Sequence, residues 1–113
     1  MRAIPTYLLT SRMEWRAPSG DPHSMGGEYG ARQVTERVRF EPSEARATGG
    51  SMPLYERYDG PTGTVFVDAR NSVGGVPPVG SLVSVDGGPE VPVRSVEELR
   101  GFAGVHHWEV SVG

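Results

Sequence analysis

Apolar and polar residues alternate at every second position in several short runs of this chain, and turn-forming residues close most of them. Val38 and Phe40 alternate with Arg39 and Glu41 until Pro42 stops the run. Near the end Trp108, Val110 and Val112 alternate with His107, Glu109 and Ser111. A period of two places one set of side chains on one face of a β-strand and the other set on the opposite face. On this pattern a first strand runs from about Tyr7 to Trp15, ending in Arg16-Ala17-Pro18-Ser19-Gly20-Asp21-Pro22, a dense set of turn formers. A second covers Val34 to Glu41, with Val34, Glu36, Val38 and Phe40 on one face; Glu36 interrupts the apolar series, so uniform burial of that face is not expected. Thr64-Val65-Phe66-Val67-Asp68 makes a short third strand.

Ser81 to Val85 and Glu90 to Arg94, joined by Asp86-Gly87-Gly88-Pro89, read as a hairpin whose turn supplies positive φ. Pro92 lacks a donor for the ladder and implies an edge or a bulge. Ser95-Val96-Glu97-Glu98 fits a helix capping box, with Gly101 placed to end a short helical turn. The last strand is expected from about His106 to Val112. Six or so strands with one short helical turn predict an all-β fold. It is a small barrel or sandwich, and the barrel is the expected form, a single domain spanning residues 1–113.

Composition narrows this reading. A chain of 113 residues suits one small domain, and the 16 glycines and 10 prolines gather between the apolar runs, as strands joined by long loops require. The net charge of −3 gives no global basic surface for nucleic acid. All eleven basic residues are arginines, suited to carboxylate or phosphate contacts at interfaces. Without cysteine there is no disulfide framework and no thiolate metal site. The N-terminal Met1 to Leu9 lacks a signal-peptide apolar core, and no stretch approaches membrane-spanning length, so a soluble protein made in the cytoplasm, with no membrane partner, is expected.

Two irregular segments, at about 16–33 and 42–63, are long for a domain of this size, where connections usually run to ~4–6 residues. They are functional arms or disordered surface. The first, which is too long and polar to fold on itself, is a candidate inter-subunit arm carrying Asp21, His23, Met25, Glu28 and Tyr29. Trp15 and Trp108 read as core or interface anchors rather than base-stacking platforms. His106 and His107 are adjacent, and adjacent strand residues point to opposite faces, so a shared metal ion is not expected; a hydrogen-bonded strand histidine is the simpler reading. Glu97 and Glu98 read as helix-start residues. There is no G-x-S-x-G elbow and no phosphate-binding glycine pattern, and no catalytic residue or cofactor is expected.

The order of segments resembles one viral family. The strand after Ile4-Pro5, the Gly-rich stretch near Tyr29-Gly30, Val38-Arg39-Phe40-Glu41-Pro42-Ser43, a variable loop, Val65-Phe66-Val67-Asp68, the hairpin from Gly80 to Val93, and His106-His107-Trp108-Glu109-Val110 together resemble the small minor capsid, or head-completion, proteins of long-tailed phages, the head-to-tail connector stopper group. The chain departs from that pattern at 71–79 and at Pro89 and Pro92. The resemblance implies a virion component at the head-tail interface. It would form a homo-oligomeric ring, usually six-fold, with portal and adaptor proteins above and the tail terminator or tail tube below.

It also implies that the loop after the second strand projects into the DNA channel as a plug. Carried over by position, that loop holds Glu44, Arg46, Gly49, Gly50, Met52, Leu54, Tyr55 and Arg57. Glycines allow a hinge, and Met52, Leu54 and Tyr55 are suited to pack against their own copies around an axis. A loop of this length reaches ~20 Å or more from its base. Arg46 and Arg57 offer phosphate contacts to packaged DNA, but Glu44, Glu56 and Asp59 nearly cancel their charge, so solvated charges are the competing reading. The nearest alternative is a tail terminator or other head-tail joining protein. From a different class the rival is a monomeric small-ligand-binding β-barrel.

Overall fold

The computed structural model describes residues 3–19, 29–43 and 61–113. It contains six strands: β1 (Ser11–Arg16), β2 (Gln33–Pro42), β3 (Gly63–Asp68), β4 (Leu82–Val85), β5 (Val91–Gly101) and β6 (Gly104–Val112). Every pairing is antiparallel, and the spatial order β1-β2-β3-β6-β5-β4 closes on itself when β1 pairs with β4. The all-β barrel expected from the alternation is therefore the observed fold.

The barrel is filled by Met13, Val38, Val65, Val67, Val83, Val85, Val91, Val93, Val110 and Val112, all buried, with Trp15, Phe40, Val76, Val96 and Trp108 packed against them. Nine of the ten core residues are valine, whose branched Cβ suits a pleated surface. Each fully buried side chain contributes roughly 1.5–3 kcal/mol relative to exposure. Both tryptophans act as core anchors here. Trp15 also donates its Nε1–H to Thr35 Oγ1 at 2.9 Å, and that hydroxyl donates on to the Gly75 carbonyl at 2.6 Å.

Three bulges explain where simple alternation misleads. On β2, Ser11 lies opposite Val38 and Arg12 opposite Glu36, so Arg37 is an extra residue; it takes a left-handed φ of 59°. The inward phase switches there. Thr35 is buried before the bulge and Val38 after it, whereas Val34 and Glu36 are exposed. The expectation that Val34, Glu36, Val38 and Phe40 share a face is corrected accordingly. Glu36 interrupts nothing, because it belongs to the outer face.

On β5, Val93 faces Val112 and Ser95 faces Ser111, leaving Arg94 extra directly after the Pro92–Val93 pair. The bulge expected near Pro92 is thus present, and Pro92 still uses its carbonyl to accept from Gly113 N–H at 2.9 Å. The capping-box reading of Ser95 to Glu98 is overturned. Those residues continue β5 without a break to Gly101, which turns through Phe102 and Ala103 into β6. Glu97 and Glu98 are therefore strand residues facing Glu109 and Trp108, not helix-start carboxylates.

Among the described residues, the one helical turn lies elsewhere, as a 3₁₀ turn over Thr6–Leu8 in the stretch expected to begin the first strand. Pro5 fixes φ at −58°, and its carbonyl accepts from Leu8 N–H at 3.0 Å. The hairpin from β4 to β5 turns where expected, with left-handed φ at both Asp86 (50°) and Gly87 (78°), the geometry of a type I′ turn.

Asp68, 1% exposed, fastens the N-terminal segment to the end of β3. Its Oδ1 accepts from Ile4 N–H at 2.9 Å, and Oδ2 accepts from Arg70 N–H at 3.0 Å and Asn71 N–H at 2.8 Å. Asn71 Nδ2 donates back to the Ile4 carbonyl at 2.8 Å. Both carboxylate oxygens are thus satisfied by backbone donors, as a buried charge requires.

Candidate functional site

The barrel holds the bases of its two long connections at opposite ends of β2. The first is closed by a bridge between Pro18 and Tyr29 and by Gly30 N–H donating to the Ala17 carbonyl at 2.8 Å. The second is closed by the Pro42–Gly63 pair and by Ser43 N–H donating to the Thr62 carbonyl at 2.7 Å. Of the candidate arm residues, Tyr29 sits in the first of these bases. Asp21, His23, Met25 and Glu28, and all the candidate plug residues Glu44, Arg46, Gly49, Gly50, Met52, Leu54, Tyr55 and Arg57, lie outside the described residues.

At the base of the first connection, the outer faces of β1 and β4 frame a groove of about 280 Å³ lined by Glu14, Trp15, Arg16, Arg32, Ser84 and Glu90, among others. The period of two that buries Met13 turns Glu14 and Arg16 outward into it. Arg16 forms a bidentate pair with Glu90, Nε to Oε2 at 3.0 Å and Nη2 to Oε1 at 2.8 Å, and its guanidinium lies 5.3 Å from the Tyr29 ring centroid. Arg32 pairs with Glu14 at 3.2 Å, and Arg12 approaches Glu14 at 3.5 Å and Glu36 at 3.8 Å.

Each acid in the groove is engaged by an arginine, and the lining has no net charge. Such a surface is suited to polar recognition. These exposed pairs add little stability singly, but the planar Arg16 fork ties β1 to Glu90 and lies beside the Tyr29 ring. Sequence reasoning missed Glu14, Arg16, Arg32 and Glu90. Their signal was the charged outer set of β1, which has no meaning until Glu90 and Arg32 arrive beside it from distant segments.

A second cluster lies on β6. Leu99 faces His107 while Arg100 faces Val105, so His106 is a bulged residue. The premise that the adjacent histidines point to opposite faces fails for this reason. Their Nδ1 atoms lie 2.6 Å apart and their rings meet edge to face, with centroids 4.9 Å apart. His107 Nε2 contacts Glu109 Oε2 at 3.0 Å, and its ring lies 5.9 Å from that of Phe66. Among the described residues, no group of three or more His, Asp or Glu side chains is arranged to hold a metal ion, and no helix there is long and apolar enough to cross a membrane.

No family model, curated protein or solved structure matches the chain.

Proposed function

We propose that this chain is a structural virion component, a head-to-tail connector stopper that forms a ring below the portal and adaptor, closes the DNA channel and docks the tail. The observation that carries the reading is the closed six-stranded barrel with two long connections leaving from opposite ends of β2, each on a hydrogen-bonded base. That arrangement lets one chain present one arm toward a neighbouring subunit and another toward a channel axis, with a rigid body between them. The role is mechanical, and the groove beside Tyr29 serves as the footing of the arm. The filled interior, with ten apolar side chains buried in the barrel, favours a structural body over a small-ligand carrier that would need its lumen open.

The test is to replace Ala47 to Tyr55 by a short Gly-Ser link, leaving Phe40, Pro42, Gly63 and Val65 intact, and to measure genome retention in heads isolated without tails. Loss of packaged DNA with normal ring incorporation is the expected result. Full retention with normal incorporation would move the reading to a tail terminator or another joining protein. A purified protein that stays monomeric and never enters particles would sink the structural reading altogether.

A further inference from the structure

β5 is longer than the strand that covers it. β4 meets it only at Leu82–Pro92 and Val83–Val91, and the residues just before β4 add one more contact, Ser81 and Gly80 taking both backbone groups of Val93 at 2.8 and 3.0 Å. From Arg94 to Gly101, β6 is the only strand paired with β5 among the described residues, so β5 keeps an open edge over this length. The direction of the unused groups follows from β6. Gly113 N–H donates to the Pro92 carbonyl, and β6 is regular from Val112 to His107 against β3, so Ser111, Glu109 and His107 turn toward β5 as Gly113 does. Their partners Ser95, Glu97 and Leu99 turn their N–H and C=O groups toward β6, and those of Val96, Glu98 and Arg100 point out from the edge. An unpaired row of this kind is a template for a further strand.

Side chains decide which strand fits. Arg94, Glu97, Glu98 and Arg100 are exposed, with Arg100 Nε 3.1 Å from Glu98 Oε2, and such charges deter an arbitrary strand. Against an antiparallel second copy they become complementary in one register. A pairing centred on Glu97, Glu98 or Arg100 sets that residue against its own charge. One centred on Val96 engages a single pair of outward residues, because Arg94 is the bulged position. Centred on Leu99, the pairing sets Glu98 opposite Arg100 of the second copy and Arg100 opposite its Glu98, with the outward backbone groups of both residues facing each other. Leu99 meets its own copy at the two-fold axis. The same register brings Phe102, fully exposed on the turn into β6, beside the half-buried Val96 of the second copy.

We infer that two copies of this chain join edge to edge by antiparallel β5–β5 pairing centred on Leu99. The contact is isologous, so it closes at two copies. The Glu98–Arg100 pair within each strand persists and becomes one side of a square of alternating charge. The inference is independent of the ring reading: β5 lies three strands from β2 in either direction around the barrel, away from the bases of both long connections.

The experiment is sedimentation velocity of the purified full chain over a range of concentrations, where a dimer that fills as concentration rises is expected. Glu98→Arg and Arg100→Glu should each weaken it roughly tenfold by setting like charges opposite, and the double variant should restore it. Because the chain has no cysteine, Leu99→Cys reports the register directly. Its two Cα atoms would lie ~4.5 Å apart across the axis, within disulfide reach, whereas those of Glu97 would lie roughly 14 Å apart. With oxidised glutathione, Leu99→Cys should give a disulfide-linked dimer and Glu97→Cys should not. A chain that stays monomeric up to about 1 mM would overturn the inference, and so would a dimer indifferent to both single charge reversals. A dimer in which Leu99→Cys stays unlinked would place another surface at the contact and overturn it equally.

Discussion

Replacing Asp68 by asparagine changes one atom of a buried side chain and opposes the hydrogen bonding around it. The carboxylate accepts three backbone N–H groups, one from Ile4 on Oδ1 and two from Arg70 and Asn71 on Oδ2. An amide keeps one acceptor oxygen. Turned toward the 70–71 turn, it satisfies two donors and faces Ile4 N–H with an NH₂; turned the other way, it satisfies Ile4 and faces two donors with one. The better orientation loses one charge-assisted bond and sets a donor against a donor. At ~1.5–3 kcal/mol for a bond to a charged group, plus the unsatisfied Ile4 amide, Asp68→Asn should cost about 2–4 kcal/mol. At roughly 4 °C per kcal/mol for a chain of this size, Tm should fall by about 10 °C.

Asp68→Ala removes both acceptor oxygens and all three hydrogen bonds to them and should cost about 3–5 kcal/mol. Asn71→Ala removes only the side-chain bond to the Ile4 carbonyl and should cost about 1 kcal/mol. The assay is thermal and urea unfolding of the three variants followed by circular dichroism. If Asp68→Asn melts within about 2 °C of the parent, the latch between residues 4 and 68 contributes nothing net and the reasoning fails.

The strain at the β2 bulge gives a prediction of opposite sign. Arg37 holds a left-handed φ of 59°, which costs an L-residue about 1–2 kcal/mol, so Arg37→Gly should raise stability by about 0.5–1 kcal/mol after glycine's added unfolded-state entropy. Arg37→Val should lower it, and equal urea midpoints for the two variants would refute the strain argument. Gly63 sits where β3 begins against β2, and a Cβ there would press on the Glu41 carbonyl and come within 2.9 Å of two Phe40 ring carbons. Because the Glu41 atom is backbone, Gly63→Ala should cost ~1–3 kcal/mol or more by urea unfolding, and a neutral result would show that the β2–β3 pair yields easily.

The strands most legible in the sequence are those whose alternation runs unbroken. Val65 and Val67 in β3, Val83 and Val85 in β4, and Val110 and Val112 in β6 are spaced by two and all face the core. The closure of the barrel, β1 against β4, was implied only by strand number. Misreadings fall where an inserted residue shifts the phase. Across the Arg94 bulge the apolar residues Val93, Val96 and Leu99 recur every three positions, a spacing shared with a helix, and Ser95 with Glu98 completes a capping pattern that is locally sound. Tertiary pairing with β6 overrides it. The same kind of insertion at His106 rotates a side chain by half a period and joins two histidines that strict alternation would keep apart. The charged groove was illegible for another reason: Glu14 and Arg16 are close in sequence, whereas Arg32 and Glu90 reach them only through folding.

The hydrogen-bonded bases of the two long connections have a consequence for how such a chain changes over time. Once Ser43 and Thr62 are tied together, the chain between them is a closed loop whose ends the barrel has already positioned. Closing a loop costs free energy that grows only with the logarithm of its length, about 0.6 kcal/mol for each doubling. Insertions and deletions between positions 43 and 62 therefore change this closure cost little. A barrel held by its own ladder and core can accept successive lengths of the chain between these two positions without being rebuilt.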